Sequence, residues 1–383
     1  MKILLLGEYS RLHNSLKEGL NILGHEVTIV GTGDNFKKYQ VDFSIYPSFF
    51  LDYWMNRKFK NLIFRLTKID LAQLERGLRF YLLLPKLKDF DHVQLINSNA
   101  IESFPFLNRF LYKRIFQNIK NRSLLICGEE TPIIDFLLKN ELPYSILTPY
   151  LKGGFSKKEF RYSLKYTQNN YRKTFNWLQE NCQNLIVSDL DYKIPMDKMN
   201  FKTHFIPNPV NTDLIKAQEL KISDKIIIFL GINRLSEIKK GTVYFEKALE
   251  IIKEKYSEKT EIIITENIPY KEYINLYNKA HILLDQVYGF DQGYNALEAM
   301  AKGKVVFTGA EKDFEKQYNL TEKVAINALP DVDYLVNELS FLIENPIEIV
   351  EIGKRAGAFI EKEHHYISIA KKYVMVWESN SSF

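Results

Sequence analysis

The sequence has few of the features that mark secreted, metal-binding or membrane-spanning proteins. Only two of its 383 residues are cysteines, Cys127 and Cys182, which excludes a disulfide framework and a cysteine-based metal site. The longest apolar runs, such as 80–84 and 226–232, are too short to cross a bilayer. The apolar stretch at the N-terminus is too short for a signal peptide and is predicted to be a buried strand. These absences favour a cytoplasmic protein.

Repeats and strong compositional bias are also missing. The chain contains no repeat at solenoid spacing and no low-complexity tract. Hydrophobic residues make up 46% of it and charged residues 26%, which excludes the disordered and collagen-like classes. The composition is therefore globular, and the length suits two domains.

Positive charge is concentrated in residues 51–122. The whole chain has a formal net charge of +5, but this block contains 14 Lys or Arg and 6 Asp or Glu, so the rest is net −3. Its first predicted helix has an apolar face of Leu51, Met55, Phe59, Leu62 and Leu66, with Arg57, Lys58, Lys60, Arg65 and Lys68 mostly elsewhere. Its second has Leu107, Phe110, Leu111, Ile115 and Ile119, interleaved with Arg109, Lys113, Arg114, Lys120 and Arg122. These helices either bind an anionic membrane surface or bury their apolar faces in the core.

Strand and helix patterns alternate along the chain. A strand over Lys2–Leu6, a helix over 13–23 and a strand over 26–30 predict a parallel pair covered by a helix, which is a Rossmann-like opening. Further buried strands are predicted at 92–96, 123–127 and 184–187.

After Pro207 and Pro209, which cannot sit inside a helix or a central strand, a second series begins. Its predicted strands are 225–230, 261–265, 281–284 and 304–307, and its helices are 241–256, 270–280 and 294–301. The sequence therefore predicts two α/β units joined near residue 207.

Two loops of the second unit have the chemistry of an anion site. Gly231 and Arg234 follow one predicted strand, and Lys239 and Lys240 precede the next helix. Cations beside a helix N-terminus suit a phosphate group, although solvated loop lysines are the alternative. Gly293 lies just before another predicted helix, where it would let a ligand approach the backbone closely. Glu298 in that helix would either bind a ribose diol or face solvent.

Taken together, these segments resemble retaining glycosyltransferases of the GT-B fold, in family 4 (group 1). The resemblance rests on Ser188 after a strand, the linker 207–211, the loop 231–241 and the segment 293–306. It implies an α/β protein with two Rossmann-like β/α/β domains facing each other across a cleft. Residues 1–205 would form the acceptor domain and 206–365 the donor domain, with a final helix, 366–383, packing back on the first.

The resemblance also implies an activity. The protein would move a sugar from a UDP- or GDP-linked donor to a glycan or lipid-linked acceptor, with retention of configuration and without a metal ion or other cofactor. It would bind no nucleic acid and would act in the cytoplasm. A further hypothesis is that residues 51–122 hold it peripherally on the inner face of the cell membrane. Two alternatives are a catalytically inactive homologue that serves as a binding subunit and a nucleotide-sugar epimerase of the same fold.

The site residues implied by the resemblance lie mostly in the second unit. Arg234 and Lys240 would be catalytic, because they would stabilise the diphosphate leaving group. Lys239 is the alternative to Lys240. The donor-binding residues would be Gly7, Gly231, Lys239, Asp285, Gln286, Asp291, Gly293, Tyr294, Asn295 and Glu298.

The sequence departs from the family at one acidic position. The first acid of the Glu-x7-Glu motif is replaced by Phe290, while Glu298 keeps the second. The pair Asp285-Gln286 resembles a known variant of the motif, and Asp291 is a second substitute.

Two further pairs of adjacent residues are interpreted without a specific motif. Glu129 and Glu130 follow a predicted strand, where they would either point into the cleft or sit as carboxylates at a helix N-terminus. His364 and His365 lie in a charged stretch and are predicted to be on the surface.

Overall fold

Two parallel β-sheets organise the chain in the computed structural model, which describes residues 1–34, 37–266, 268 and 270–379. The first sheet has the strands β1 (Lys2–Leu6), β2 (Glu26–Gly31), β3 (Phe43–Ser44), β4 (His92–Leu95), β5 (Asn121–Ile126), β6 (Asn184–Val187) and β7 (His204–Phe205). The second has β8 (Ile226–Ile232), β9 (Thr260–Glu266), β10 (Ile282–Leu284), β11 (Val305–Thr308) and β12 (Ile326–Asn327). The predicted architecture of two α/β units is confirmed.

Strand order is doubly wound in both sheets, with the Rossmann order in the first and the related 2-1-3-4-5 order in the second. The first sheet runs β3-β2-β1-β4-β5-β6-β7 and the second β12-β11-β10-β8-β9. Every pairing within them is parallel. In such sheets ligands bind beyond the carboxyl ends of the strands, at the point where the strand order reverses.

Helices cover both sheets. Those of the first unit are α1 (Leu12–Ile22), α2 (Ser48–Leu51), α3 (Trp54–Thr67), α4 (Leu71–Leu83), α5 (Pro105–Phe116), α6 (Thr131–Leu137), α7 (Thr148–Leu151), α8 (Arg161–Leu164), α9 (Asn169–Asn181) and α10 (Leu190–Lys198). Those that follow are α11 (Glu237–Lys240), α12 (Thr242–Tyr256), α13 (Tyr270–Lys279), α14 (Tyr294–Ala301), α15 (Lys312–Tyr318), α16 (Val332–Glu344), α17 (Pro346–Glu363) and α18 (Tyr366–Ser379). Among the described helices none is long and apolar enough to span a bilayer.

The last helix returns to the first unit. Ile369, Ala370 and Tyr373 of α18 are buried in the core of the first sheet. The approach is close, since a Cβ on Gly19 of α1 would lie 2.5 Å from the carbonyl oxygen of Tyr366. Residues 380–383 of the predicted final helix lie outside the described residues, and the domain limits at 205 and 365 stay predictions.

The turn before this helix corrects one expectation. His364 is buried, and its Nδ1 lies 2.8 Å from the carbonyl oxygen of Asn208 in the linker. Burial lowers the pKa of His364 to about 4, so the ring is neutral and donates this hydrogen bond. The surface prediction was wrong for His364, because its charged sequence neighbours gave no sign that the linker folds over it. His365 is partly exposed.

Candidate active site

The two units meet where their strands end. The Tyr294 hydroxyl donates to Ser15 Oγ at 2.6 Å, and the backbone N–H of Leu190 donates to Asp291 Oδ2 at 2.9 Å. Between the units lies a cavity of about 160 Å³, lined by residues of both, including Glu129, Asp191, Tyr192, Gln286 and Phe290. The predicted cleft therefore exists, with the two walls in contact.

The loop after β8 carries the predicted catalytic cations. The strand ends at Ile232, two residues beyond its predicted end, and the short helix α11 holds both lysines. Lys240 Nζ lies 2.7 Å from Asp285 Oδ1, an oxygen that also accepts from Asn295 Nδ2 at 3.3 Å. Asp285 follows β10 and Asn295 lies in the first turn of α14, so this pair fixes Lys240 beside the α14 N-terminus.

The neighbouring lysine points to the other unit. Lys239 Nζ lies 2.7 Å from Glu129 Oε1, which also accepts from Ser163 Oγ at 2.6 Å. The two lysines left open by the sequence thus have different surroundings. Lys240 contacts a residue of its own, second unit, whereas Lys239 forms an ion pair across the cleft.

Arg234 pairs with carboxylates other than the one that holds Lys240. Its guanidinium donates to Glu237 at 2.5 Å and to Glu266 at 2.7 Å, and it remains exposed. The structure therefore gives the two predicted catalytic cations different partners. Glu266 lies at the end of β9, so only the sheet order, and no local pattern, brings it to Arg234.

The start of α14 is open. A Cβ placed on Gly293 would have Asp285 Oδ2, at 3.9 Å, as its nearest neighbour, and no side chain in the described part of the chain caps the helix. The Ala296 N–H donates to the Gly293 carbonyl oxygen at 2.9 Å, so the first-turn N–H groups available to an anion are those of Tyr294 and Asn295. The Tyr294 side chain does not face this space, because its hydroxyl contacts α1 and the carbonyl oxygen of Pro209.

Glu298 lies one turn further along α14 and is half-buried. Burial raises the pKa of Glu298, and the positive charges of Arg11, Lys302 and Lys37 partly offset this effect. Two of these cations belong to the first unit, so the carboxylate faces the cleft. Within the described part of the chain no hydrogen bond to it is found, which leaves it able to bind a ligand.

The replaced acidic position is a packing residue. Phe290 is buried and stacks on Tyr144 of the first unit at a centroid distance of 5.2 Å. Its neighbour Asp291 accepts from the backbone N–H groups of Leu190 and Gln292, and Gln286 Nε2 donates to the Asp291 carbonyl oxygen at 3.3 Å. Asp291 thus connects the units, and its contact with a sugar stays a prediction.

A carboxyl cluster at this contact, with Asp189 and Asp291 buried and Asp191 partly exposed, was not foreseen. Asp191 accepts from the backbone N–H of Phe290 at 2.8 Å. Burial raises the pKa of Asp191 and of Asp291 to about 7, and burial with the charges of Asp191 and Asp291 raises that of Asp189 well above its usual range. Asp189 lies two residues after the end of β6, which is the one signal in the sequence that could have indicated it.

The end of β1 holds a second unforeseen carboxyl group. Gly7 has φ +86, and a Cβ there would lie 2.4 Å from Ile96 Cγ2, so packing alone requires this glycine. Next to it, Glu8 is fully buried, burial raises its pKa to about 8, and its Oε1 has no hydrogen-bond partner among the described residues. Gly231, another of the three predicted glycines, lies within β8 rather than after it.

Both interpretations of the adjacent glutamates are realised, one by each residue. Glu129 reaches across the cleft to Lys239, while Glu130 is buried and caps α6 by accepting from the Thr131 N–H at 2.9 Å. Lys165, near Glu129, was missed because it lies in a short turn without any pattern. Burial lowers the pKa of Lys165. Among the described residues no cluster of three or more His, Cys, Asp or Glu is arranged to hold a metal ion.

Comparison with known proteins identifies the fold. Residues 235–374 match the model of a family described as glycosyl transferase-like, and no curated protein matches the chain. Sucrose-phosphate synthase from Thermosynechococcus elongatus is similar over 99% of this chain and 98% of its own, with a TM-score of 0.63 and 14% identity.

Two further structures bound nucleotides when solved. HepE from Anabaena, in complex with UDP and glucose, covers 99% of this chain and 100% of its own at a TM-score of 0.59 and 13% identity. The UDP-GlcNAc 2-epimerase from Neisseria meningitidis, bound to UDP-GlcNAc, covers 99% and 100% at a TM-score of 0.54 and 12% identity. The predicted α/β fold of two Rossmann-like domains is confirmed: the chain has a glycosyltransferase-like GT-B fold, and its C-terminal part matches a glycosyl transferase-like family.

Proposed function

We propose that the chain transfers a sugar from a UDP- or GDP-linked donor to a glycan or lipid-linked saccharide acceptor, with retention of configuration and without requiring a metal ion. One observation carries the proposal: the Lys240 ammonium is held by Asp285 beside the open, uncapped N-terminus of α14. A diphosphate has the charge and size for this position, because it can accept from both the ammonium and the first-turn N–H groups.

The chemistry that follows is electrostatic. Negative charge grows on the diphosphate as the sugar leaves, so a cation and helix N–H groups aimed at it stabilise the transition state more than the bound donor. Lys240 would exchange its bond to Asp285 for one to phosphate, and Arg234 would give up one of its glutamates. Glu298 would hold the ribose hydroxyls.

Donor binding requires the cleft to widen. Ligand pockets usually measure roughly 300–1,000 Å³, whereas the cavity between the units is about 160 Å³. The Lys239–Glu129 pair and the Asp291 bond to Leu190 both cross the cleft, so they are the contacts that opening would break. We infer that these contacts hold the closed form when no donor is bound.

An epimerase remains the second candidate. The Neisseria epimerase shares the fold, and Glu8, whose pKa burial raises to about 8, is suited to exchange a proton near neutral pH. An inactive homologue that binds the nucleotide sugar without transferring it is the third candidate. Phe290 in place of the first acid of the motif is the observation that favours it.

A donor panel separates these candidates. The protein would be incubated with UDP-glucose, UDP-GlcNAc and GDP-mannose, with and without alkyl glycoside acceptors, and nucleoside diphosphate and sugar products measured by NMR. Acceptor-dependent release with a retained anomeric centre supports the proposal, whereas a new epimer without acceptor supports the alternative. Lys240→Ala should lower the transfer rate by about 10²–10³-fold. Lys253→Ala, which changes an exposed lysine on α12, is the matched control. Binding without any turnover would identify an inactive homologue.

A further inference from the structure

Helix α3 carries an apolar surface that the described structure leaves uncovered. None of its residues is buried. Met55, Phe59, Leu62 and Leu66 share one side of the helix, hereafter the α3 face, and are 73%, 53%, 53% and 73% exposed. The alternative that the apolar faces of both basic helices are buried in the core therefore does not hold for α3.

The second basic helix behaves differently. Leu111 and Ile115 of α5, and Ile119 just after it, are at most 1% exposed, whereas Phe110 is 42% exposed. Most of this face is therefore part of the core, as one alternative held. Around α3, by contrast, further large apolar side chains are exposed: Phe49, Tyr53, Trp54, Phe64, Ile69, Leu74, Leu78, Tyr81 and Leu82. Exposed apolar groups in such number in one part of the chain mark an interaction surface rather than chance exposure.

The charges on α3 indicate which partner this surface fits. The helix contains Arg57, Lys58, Lys60 and Arg65 and no acidic residue. Lys58 Nζ lies 3.8 Å from the centre of the exposed Trp54 ring. A helix with an apolar face, flanking cations and an exposed tryptophan has the composition of one that lies in the interface of a bilayer.

We propose that α3 lies in the headgroup region of an anionic lipid bilayer, with the α3 face towards the acyl chains and Arg57, Lys58 and Arg65 at the lipid phosphates. A second copy of the chain fits less well, because a two-fold contact would place the same cations on both sides and they would repel each other. The proposal goes beyond glycosyl transfer and does not depend on it.

The test is sedimentation with vesicles of phosphatidylglycerol and phosphatidylcholine in equal parts, compared with pure phosphatidylcholine. The wild type should bind the anionic vesicles at low salt and detach as salt rises, because each cation at the surface contributes about fivefold in affinity. The triple variant Arg57→Gln, Lys58→Gln, Arg65→Gln should therefore bind about a hundredfold more weakly.

A second variant tests the apolar contribution. Met55→Ser with Leu66→Ser should lower vesicle binding by about tenfold or more. The matched control is Met375→Ser with Ile347→Ser, because these residues are 70% and 73% exposed on other helices. The control should bind as the wild type does. All four residues are exposed, so thermal unfolding should change little in either variant.

Several results would overturn the proposal. These are absence of binding to anionic vesicles at low salt, equal binding to neutral vesicles, or equal losses in the Met55/Leu66 variant and its control. Light scattering could give a further contradicting result. If the wild type is a dimer, the Met55/Leu66 variant is a monomer and vesicles are not bound, a second copy of the chain is the partner of the α3 face. Transfer to a soluble acceptor should be unchanged in the Met55/Leu66 variant, so failure of this proposal is distinguishable from failure of the proposed function.

Discussion

Replacing Glu298 by Gln should have opposite effects on nucleotide binding and on folding. The substitution keeps the shape of the side chain and removes its charge. If the carboxylate holds the ribose hydroxyls, its charge-assisted hydrogen bonds contribute about 1.5–3 kcal/mol. The dissociation constant for UDP or GDP should therefore rise by about tenfold to a hundredfold in Glu298→Gln.

The structure gives the expected sign for stability. No hydrogen bond to Glu298 is found in the described part of the chain, so the substitution breaks none there, and burial raises its pKa, so the ionised form is disfavoured in the folded state. Above this raised pKa the neutral amide should leave the free energy of unfolding equal or higher. For the same reason, nucleotide binding by the wild type should strengthen as pH rises through the pKa of Glu298 and the carboxylate ionises.

Calorimetric titration with UDP and GDP at pH 8, together with thermal unfolding, measures both quantities. Glu250→Gln, an exposed residue of α12, is the matched control and should change neither. Normal nucleotide binding by Glu298→Gln would refute the assignment and place the side chain in a solvent contact. A loss of binding accompanied by a large loss of stability would show that the residue acts through the fold.

Three further predictions concern the loop, the carboxyl cluster and the replaced motif position. Arg234→Ala and Lys240→Ala should each lower turnover by about 10²–10³-fold, with a smaller change in donor affinity. Lys239→Ala should lower turnover only slightly. If steady-state kinetics show a large loss of turnover in Lys239→Ala alone, Lys239 rather than Lys240 is the catalytic lysine. Burial raises the pKa of Asp191 to about 7 in the folded state, so the native state binds a proton that the unfolded state loses, and stability falls as pH rises from about 4 to 7. In denaturant titrations, the free energy of unfolding of Asp191→Asn relative to the wild type should therefore increase over this window by up to about 1.4 kcal/mol per pH unit. A difference that does not depend on pH would contradict the assignment. Phe290→Glu should not raise activity but should destabilise the fold by at least about 3 kcal/mol, because it removes a buried ring and places a carboxylate against Tyr144. A stable, more active variant would mean that position 290 faces the donor.

The regular elements could be predicted because their patterns are local. The apolar strand Lys2–Leu6 and the helix Tyr294–Ala301 have the limits that periodicity and flanking glycines indicate. The edge strands β3, β7 and β12 have only two residues each, too few to show alternation, and neighbouring strands alone define them. The helix α11 was missed because its single turn lies inside what reads as a loop.

The site was only partly predictable because its contacts join distant segments. Lys240 could be proposed from its place before a helix, but its bond to Asp285 depends on the order of β8 and β10 in the sheet. The cluster of Asp189, Asp191 and Asp291 depends on the contact between the two units. Similarly, the burial of α5 and the exposure of α3 could not be told apart, because both helices have the same amphipathic pattern.

A crystal structure of the complex with UDP or GDP would test most directly whether the donor diphosphate binds between Lys240 and the N-terminus of α14. We expect the β-phosphate within about 3 Å of the Lys240 ammonium and of first-turn N–H groups of α14, the ribose on Glu298, and the Lys240–Asp285 bond broken. A nucleotide bound at the first unit, or a diphosphate distant from α14 with the Lys240–Asp285 bond intact, would contradict the claim.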